Sequence, residues 1–456
     1  MSDLNLKAEF PPVPTEAWEQ TIAADLKGAD YEKRLVWQTG EGVAVRPYYR
    51  SENLPCEPFR HAETRSWEIR DAAVPCDGID AAAFHEAGAT AVQELAYALA
   101  AASDRLAAGQ PVPSITFAVG SNYFFEIAKL RAARQLCAAL AEAYAAPPLQ
   151  LRAVTALSNK SIYDPYTNLL RSTTEALSAV LGGADSLAVQ AAGYPERLAR
   201  NVQLVLKEEA HLDKVADPAG GSYYIEALTG SLAAEAWKLF QQVESEGGYA
   251  KSRPAIDAAI AGSRAAKEKA VASRRRTLVG VNNYPDIHEK ELDHAGSLPA
   301  GFRLARPIEK IRLRTERYAR KTGTTPAVLL LKKGDLKMKM ARAQFCQNFW
   351  GCAGFSIIEE EVVQDSNVGQ ASRPAAGLQA GPLLIILCSS DPEYLDFAKE
   401  ICASTATPVL IAGNPKDQLE ALKAVGVSGF VHVQSNMVDT LTEWQDKLGI
   451  DGKEAQ

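Results

Sequence analysis

The chain has 456 residues, 47% of them apolar, which is enough to bury sizeable cores in two or three domains of roughly 150 residues each. Its net charge of -7 argues against nucleic-acid binding, which needs a basic face to neutralise phosphates. Seven cysteines without a C-x-x-C pair argue against a disulfide scaffold and a zinc site, so we expect reduced thiols in a cytoplasmic protein. No run reaches the roughly 18 apolar residues of a membrane span, and no membrane partner is expected.

The first sixty residues, 1–60, form an arm punctuated by prolines and too short for a core of its own. Thr15 is the predicted N-cap of an amphipathic helix, and Gly28 its predicted end. Two short strand-like pieces follow at 35–37 and 43–48. Because so small an extension cannot bury its own apolar side chains, we expect it to wrap another surface.

Residues 61–290 alternate between short apolar runs and long Ala-rich stretches, which predicts βα units around a parallel sheet and then a helical extension. The predicted strands are 67–70, 73–76, 114–119, 149–157 and 186–189. The predicted helices are 86–107, 122–144 and 168–181. Five strands are too few for a closed eight-stranded barrel.

Residues 291–324 carry prolines and charges and are predicted to be a linker to a second α/β domain, 325–456. Its predicted strands are 327–332, 355–362, 383–388, 408–412 and 430–433. Its predicted helices are 336–350, 392–403, 415–425 and 437–448. Regular alternation of five strands with helices predicts a flavodoxin-like doubly wound sheet.

The stretch RLARNVQLVLKEEAHLDKVADPAGGSY, which begins at Arg197, resembles the segment that follows the barrel in coenzyme-B12-dependent acyl-CoA mutases. Other segments that resemble this family cover most of the chain, at 15–49, 86–136, 164–187, 197–249 and 408–450. Within the family the chain is similar to the small, non-catalytic subunits of methylmalonyl-CoA mutase. The resemblance implies a partial or shortened TIM-type (β/α) barrel, followed by a flavodoxin-like domain of the cobalamin-binding type. It also implies that the arm contacts a partner subunit.

Two positions at which the family carries essential histidines hold other residues here. Catalytic mutases read SLHTN where this chain reads SLAVQ, so Ala188 stands at the position of the catalytic histidine. A methyl group can neither donate a proton nor hydrogen-bond a thioester carbonyl. The family's D-x-H-x-x-G cobalamin loop is replaced by LKKGDLKM, a degenerate loop that has Gly334 and Asp335 but no histidine. The resemblance therefore implies no catalytic residue and no directly bound cofactor, with adenosylcobalamin held by the partner subunit.

Some polar residues follow the predicted strands of the first domain, where parallel sheets place their chemistry. Ser121, Asn122, Ser158 and Gln190 are candidates for a remnant of the substrate pocket. Four other groups receive structural interpretations. We expect no metal at His211 and its acidic neighbours, a packing role for His85 and a hydrogen-bonded strand end at His432. At 274–276 we expect a solvated helix face or a salt-bridging edge rather than a phosphate contact.

The resemblance implies a structural and regulatory subunit, a pseudoenzyme in an isomerase family. It would form a heterodimer with a large catalytic chain that interconverts methylmalonyl-CoA and succinyl-CoA, or a homo-oligomer if no such chain exists. Two alternatives stay open. The chain could be a shortened mutase, active by itself with base-on cobalamin, or a binding module that senses acyl-CoA. Bound cobalamin in the purified protein would indicate the first alternative, and heat released on acyl-CoA titration the second.

Overall fold

The computed structural model describes residues 12–54, 66–72, 76–289, 298, 301–362 and 383–450. These residues form a two-stranded antiparallel hairpin and two five-stranded sheets in which every pairing is parallel. No helix among them is both long and apolar enough to cross a membrane. The chain is therefore a mixed α/β protein with two parallel sheets.

The arm contains helices α1 (Thr15–Asp25) and α2 (Tyr31–Leu35) and strands β1 (Trp37–Gln38) and β2 (Ala44–Val45). Thr15 is the first helical residue rather than the predicted cap, because Pro14 holds the extended cap position. None of the residues of α1 is buried. The hairpin β1–β2, in contrast to α1, does bury a side chain, since Val45 lies in the apolar core around the first sheet.

The first sheet has the strand order β3-β7-β6-β5-β4. Its strands are β3 (Glu68–Arg70), β4 (Ile79–Asp80), β5 (Ser114–Val119), β6 (Gln150–Thr155) and β7 (Ser186–Ala188). The central strands are buried on both faces, as parallel strands covered by helices require. The strand predicted at 73–76 is wrong for Cys76, which belongs to no strand. Its other three residues, 73–75, lie outside the described residues.

Seven helices cover this sheet or extend it. They are α3 (Ala82–Ala87), α4 (Ala91–Ala107), α5 (Tyr123–Ala143), α6 (Pro165–Leu181), α7 (Glu196–Leu204), α8 (Tyr223–Ser245) and α9 (Tyr249–Ala272). The single helix predicted at 86–107 is two helices, because Gly88 adopts a left-handed φ of 112° at the end of α3. Thr90 then begins α4 with a capping box that it shares with Gln93.

Helix α10 (Arg306–Thr322) occupies half of the region predicted as a linker, 291–324. It is bound to the first unit, since Ile162 N donates to Glu309 Oε1 at 2.9 Å. It is also bound to the second unit, where Gln445 Nε2 donates to Ile311 O at 2.8 Å. The connection between the two sheets therefore contains a helix that is hydrogen-bonded to both units.

The second sheet has the strand order β12-β11-β10-β8-β9. Its strands are β8 (Ala327–Lys332), β9 (Ser356–Glu361), β10 (Leu384–Cys388), β11 (Val409–Ala412) and β12 (Gly429–Val431). Its helices are α11 (Leu336–Gly351), α12 (Tyr394–Cys402), α13 (Leu419–Ala424) and α14 (Met437–Lys447). One apolar core lies on each face, and all five strands and four helices predicted here are present, with bounds shifted by a few residues.

Candidate functional site

A cavity of about 860 Å³ lies at the carboxyl edge of the first sheet, beyond the ends of β5 and β6. Ser121 and Asn122 follow β5 and Ser158 follows β6, and all three line the cavity. The hairpin of the arm, the start of α4, and α9 supply the other walls. Three of the four residues predicted for a remnant pocket are therefore brought together.

Gln190, the fourth predicted pocket residue, is not among the residues that line this cavity. Its backbone N donates to Thr155 Oγ1 at 2.8 Å, and its side-chain Nε2 donates to Thr155 O at 2.6 Å. Its amide group ties the end of β7 to the end of β6. Gln190 therefore stabilises the sheet edge instead of facing the cavity.

Ala188 is the last residue of β7 and lies in register with Arg70 of β3 and Val154 of β6. Its side chain offers a methyl group at the carboxyl edge, where acid–base residues of parallel sheets usually lie. Ala188 does not line the cavity either. The position predicted for a catalytic histidine thus carries no proton donor.

A buried ion cluster underlies the cavity. Lys129 Nζ lies 2.8 Å from Glu94 Oε2 and 2.6 Å from Glu126 Oε2, and Glu94 Oε1 accepts from Ala118 N at 2.9 Å. Burial opposes the ionisation of Glu94, but the charge of Lys129 and the hydrogen bond from His85 together hold its pKa below the usual range. This cluster fixes α4 and α5 against the end of β5.

His85 lies between this ion cluster and the cavity. Its Nδ1 is 3.3 Å from Glu94 Oε2, and a Cβ added to Gly120 would lie 3.3 Å from its Nε2. A buried carboxylate therefore orients one ring nitrogen, and the other faces the cavity, an arrangement also used by acid–base histidines. The sequence interpretation of His85 as a packing residue missed this, because His85 and Glu94 belong to two helices joined by the unpredicted break at Gly88.

Three cations line the same cavity, Lys267 on α9 and Arg275 and Arg276 just beyond it. Lys267 Nζ donates to Ala89 O at 2.6 Å. Burial lowers the pKa of both Lys267 and Arg276. The solvated helix face predicted at 274–276 is therefore wrong for Arg276, which turns toward the cavity.

The degenerate loop follows β8 at the carboxyl edge of the second sheet. Gly334 adopts a left-handed φ of 81°. Asp335 caps α11, because its Oδ1 accepts from Met338 N at 2.8 Å. The carboxylate of Asp335 is thus committed to its own helix, and it does not orient a metal-binding imidazole.

Glu393 reaches into this loop from the segment after β10. Its Oε2 accepts from Ser390 Oγ at 2.5 Å, from Ser389 Oγ at 2.7 Å, from Ser390 N at 3.1 Å and from Asp335 N at 3.3 Å. These hydrogen bonds, the largest from Ser390 and Ser389, lower the pKa of Glu393 to about 2. A Cβ added to Gly334 would overlap the Glu393 carboxylate, so the side chain fills the concave side of the loop.

The position of Glu393 is significant because β8 and β10 are adjacent while their connections lead to opposite edges of the sheet. Open parallel sheets bind ligands in the crevice at such a switch point. The family resemblance implies a cobalamin at this edge, held by a histidine of the loop. Here the loop has no histidine, and its aspartate caps a helix. The carboxylate of Glu393, from the same chain, occupies the concave side of the loop. These residues therefore do not fit a histidine-ligated cobalamin.

His432, which follows β12, is bound within its own turn. Its backbone N donates to Ser435 Oγ at 3.0 Å, and its Nδ1 accepts from Gln434 N at 3.3 Å. Burial, with a contribution from Arg342, lowers its pKa. The prediction of a hydrogen-bonded strand-end histidine is confirmed.

His211 is exposed and has a left-handed φ of 53° in the turn after α7. Within the described residues, no group of three His, Cys, Asp or Glu side chains is placed to hold a metal ion.

Comparison with known proteins places these features in a family. The sequence profile described as methylmalonyl-CoA mutase matches residues 77–325, more than half of the chain. The chain belongs to the methylmalonyl-CoA mutase family. The resemblance deduced from its motifs is thereby confirmed.

Members of this family from several bacteria are similar over most of the chain. The methylmalonyl-CoA mutase small subunit of Porphyromonas gingivalis is 32% identical over 98% of this chain and 99% of that protein. A probable methylmalonyl-CoA mutase small subunit of Mycobacterium tuberculosis is 33% identical over 81% of this chain. The methylmalonyl-CoA mutase of Rhizobium meliloti is 40% identical, but over only 46% of this chain.

These family members are longer than this chain. The alignment with the Porphyromonas protein has 619 positions against 456 residues here, so it contains long gaps on this side. The match spans 64% of the Mycobacterium protein and 33% of the Rhizobium protein. These gaps agree with the shortage of strands in the first sheet.

Proposed function

We propose that this chain is the non-catalytic small subunit of a heterodimeric methylmalonyl-CoA mutase. In this proposal a large partner chain holds adenosylcobalamin and interconverts methylmalonyl-CoA and succinyl-CoA, and the present chain stabilises or regulates it. The names of the Porphyromonas and Mycobacterium relatives support a subunit of this kind. A cytoplasmic location belongs to the same proposal.

The observation that carries the proposal is which residues occupy the carboxyl edges of the two sheets, where the catalytic and cofactor-binding residues of this family would lie. Ala188 has no group able to donate a proton to a thioester. Glu393 fills the loop at which a corrin would be anchored. A radical rearrangement requires a bound cofactor and a positioned acid, and the two positions at which the family places them, Ala188 and the loop at 334–335, supply neither.

The fold that we propose is a partial TIM-type barrel followed by a flavodoxin-like domain. Counted within the second sheet, the strand order is 2-1-3-4-5, which is the flavodoxin-like order. In the first sheet, β3 and β4 are edge strands that each pair on one side within the described residues. Exposed edges favour coverage by other parts of the chain or by a partner.

The arm supports a partner as well. Helix α1 buries none of its eleven residues, although it carries Trp18 and Ile22. A helix without buried side chains gains almost nothing from its own fold, because helical stability in proteins comes mostly from tertiary packing. A partner surface that covers α1 would supply that packing.

Co-expression with a large methylmalonyl-CoA mutase chain tests the proposal. With a tag on the present chain, we expect the large chain to copurify in a 1:1 ratio and to account for all the mutase activity. The tagged large chain provides the reciprocal purification. A present chain that stays monomeric when mixed with the large chain, or that turns over methylmalonyl-CoA alone, would refute the proposal.

A second function, an acyl-CoA-sensing module, is favoured by one observation, the cavity of about 860 Å³ with three cations in its wall. Calorimetric titration of the isolated chain with succinyl-CoA and with free coenzyme A distinguishes it from the first. Heat from the thioester alone would indicate a sensor of the acyl group, whereas no heat from either would eliminate this function.

A further inference from the structure

The cavity at the carboxyl edge of the first sheet contains more positive charge than its own residues neutralise. The charged side chains that line it are Lys267, Arg275, Arg276, Glu41 and Glu126. Glu126 is already paired with a cation outside this set, Lys129, at 2.6 Å. Glu41 accepts from the backbone N of Val92 at 3.2 Å, at the beginning of α4. Both carboxylates are therefore engaged elsewhere.

Arg276 is the unusual member of this set. Its guanidinium donates no hydrogen bond to any described residue and forms no ion pair with a carboxylate of the described chain. Burial is the largest influence on its pKa, which is lowered despite the attraction of Glu41. Arg276 is half-buried in the wall of the cavity, so its guanidinium has lost part of its hydration without gaining a bonded counter-charge.

Lys267 lines the same cavity as Arg276. Burial is the main cause of its lowered pKa, and the positive charge of Arg276 contributes to the lowering. Its Nζ has three donors, and one of them is used on Ala89 O. Two neighbouring cations with unused donors form a place where an anion would be held by charge-assisted hydrogen bonds. The planar fork of Arg276 suits the two oxygens of a carboxylate or phosphate.

The remainder of the cavity fits a small ligand. Phe125, Phe302 and Leu304 give it apolar walls, and His85, whose Nε2 lies near Gly120, lines it as a further polar contact. Clefts of several hundred Å³ with mostly apolar walls and a few placed polar groups are typical of small-molecule sites.

From this arrangement we propose that the cavity is a binding site for a compact anion, whose carboxylate or phosphate group is held by Arg276 and Lys267. The site belongs to this chain alone. It requires neither the partner subunit nor cobalamin, so it can exist or fail independently of the proposed subunit function, whereas it rests on the same cavity as the acyl-CoA-sensing function.

The test uses the isolated full-length chain and two probes, inorganic phosphate and malonate, at constant ionic strength. We expect at least one of them to bind saturably with one site per chain by calorimetry and to raise the melting temperature. Arg276→Gln should weaken that binding about tenfold or more, because it removes a charged donor pair. Saturation by phosphate alone or by malonate alone identifies which group the site selects.

Lys269→Gln is the matched control, since Lys269 is an exposed residue of α9, the helix that carries Lys267, and does not line the cavity. It should leave anion binding within about twofold of the wild type. Arg276→Lys, which keeps the charge and loses the fork, should give an intermediate affinity. Without anion, Arg276→Gln should melt at about the same temperature as the wild type or higher, because it removes a half-buried cation whose side chain donates no hydrogen bond to a described residue.

Three results would overturn the proposal. Neither probe could saturate the wild-type chain, or Lys269→Gln could weaken binding as much as Arg276→Gln does, which would indicate general electrostatic attraction. Alternatively, Arg276→Gln could unfold at a lower temperature and keep full anion affinity, which would make Arg276 a structural residue.

Discussion

Lys160 and Glu175 form a fully buried ion pair beside the cavity of the first unit. Lys160 Nζ lies 2.7 Å from Glu175 Oε2 and donates to Ala156 O at 2.7 Å, and Asn159 Nδ2 donates to Glu175 Oε1 at 2.7 Å. Burial raises the pKa of Glu175 and lowers that of Lys160, so each group depends on its neighbours to stay charged. The pair fixes α6 against the segment after β6.

Glu175→Gln should therefore destabilise the protein strongly, because it leaves Lys160 buried without a counter-charge. We expect a loss of about 3–5 kcal/mol in the free energy of unfolding, measured by urea denaturation at pH 7. The double variant Lys160→Met/Glu175→Leu removes both charges and should recover most of the loss. A loss below about 1 kcal/mol for the single variant would show that the pair is not required.

Glu393 gives the second prediction at this scale. Its pKa of about 2 lies below the usual 4.5, so its contribution to stability is fully present above pH 4.5 and is lost as the pH falls through about 2. Because the group borders solvent, we expect Glu393→Gln to cost only about 1 kcal/mol at pH 7. The difference from the wild type should narrow between pH 7 and pH 3.

Urea denaturation at both pH values measures this difference. Asp396→Asn is the matched control, since Asp396 lies on α12, close to Glu393 in the chain, and forms an exposed ion pair with Lys399. It should change stability little at either pH. A cost for Glu393→Gln that stays constant across the pH range would mean that hydrogen-bond geometry, and not ionisation, stabilises the loop.

At the scale of elements, the accuracy of sequence prediction depends on how local the signals are. The second sheet was predicted strand by strand because each apolar run is bounded by a helix of ordinary length. The helix at 86–107 was predicted as one because Ala-rich periodicity continues across 88–90. The break at Gly88 comes from packing, since a Cβ there would lie 2.5 Å from Arg264 Cβ on α9.

The arm divides into two elements with different roles. Helix α1 contacts its own chain mainly through Trp18, whose ring centroid lies 3.6 Å from that of Tyr48. The hairpin instead enters the core through Val43 and Val45 and packs Trp37 on Phe125 at 5.4 Å. The prediction of an arm that wraps a partner therefore concerns α1, whereas the hairpin closes the chain's own cavity.

Deletion of residues 1–28 tests this division. We expect the isolated chain to lose less than about 1 kcal/mol of unfolding free energy, because the described part of this segment, 12–28, contacts the rest of the chain through one tryptophan and surface hydrogen bonds. Copurification with the large mutase chain should be lost. Val45→Ala is the opposite control, which should cost about 2 kcal/mol and leave partner binding intact. Full partner binding by the truncated chain would contradict the assignment of α1 to the interface.

For the whole molecule, the sequence alone predicted which functional side chains of the family are absent. It did not predict which side chains of this chain surround the cavity and fill the loop. Ala188 and the loop at 334–335 were found by comparing single positions with a motif. His85 and Arg276 were not found, because their environment depends on the break at Gly88 and on how α9 packs across the sheet edge. Glu393 is 58 residues from its hydrogen-bond partner Asp335, and no local pattern predicts that contact.

The central claim is that this chain binds no corrin, and it rests on the residues at the carboxyl edges of the two sheets. Equilibrium dialysis of the isolated full-length chain against adenosylcobalamin, followed by visible spectroscopy, tests it most directly. The account predicts that the cofactor distributes equally across the membrane and keeps the spectrum of the free compound. Cofactor retained by the chain at a stoichiometric level, or a spectral change that shows a new axial ligand, would contradict it.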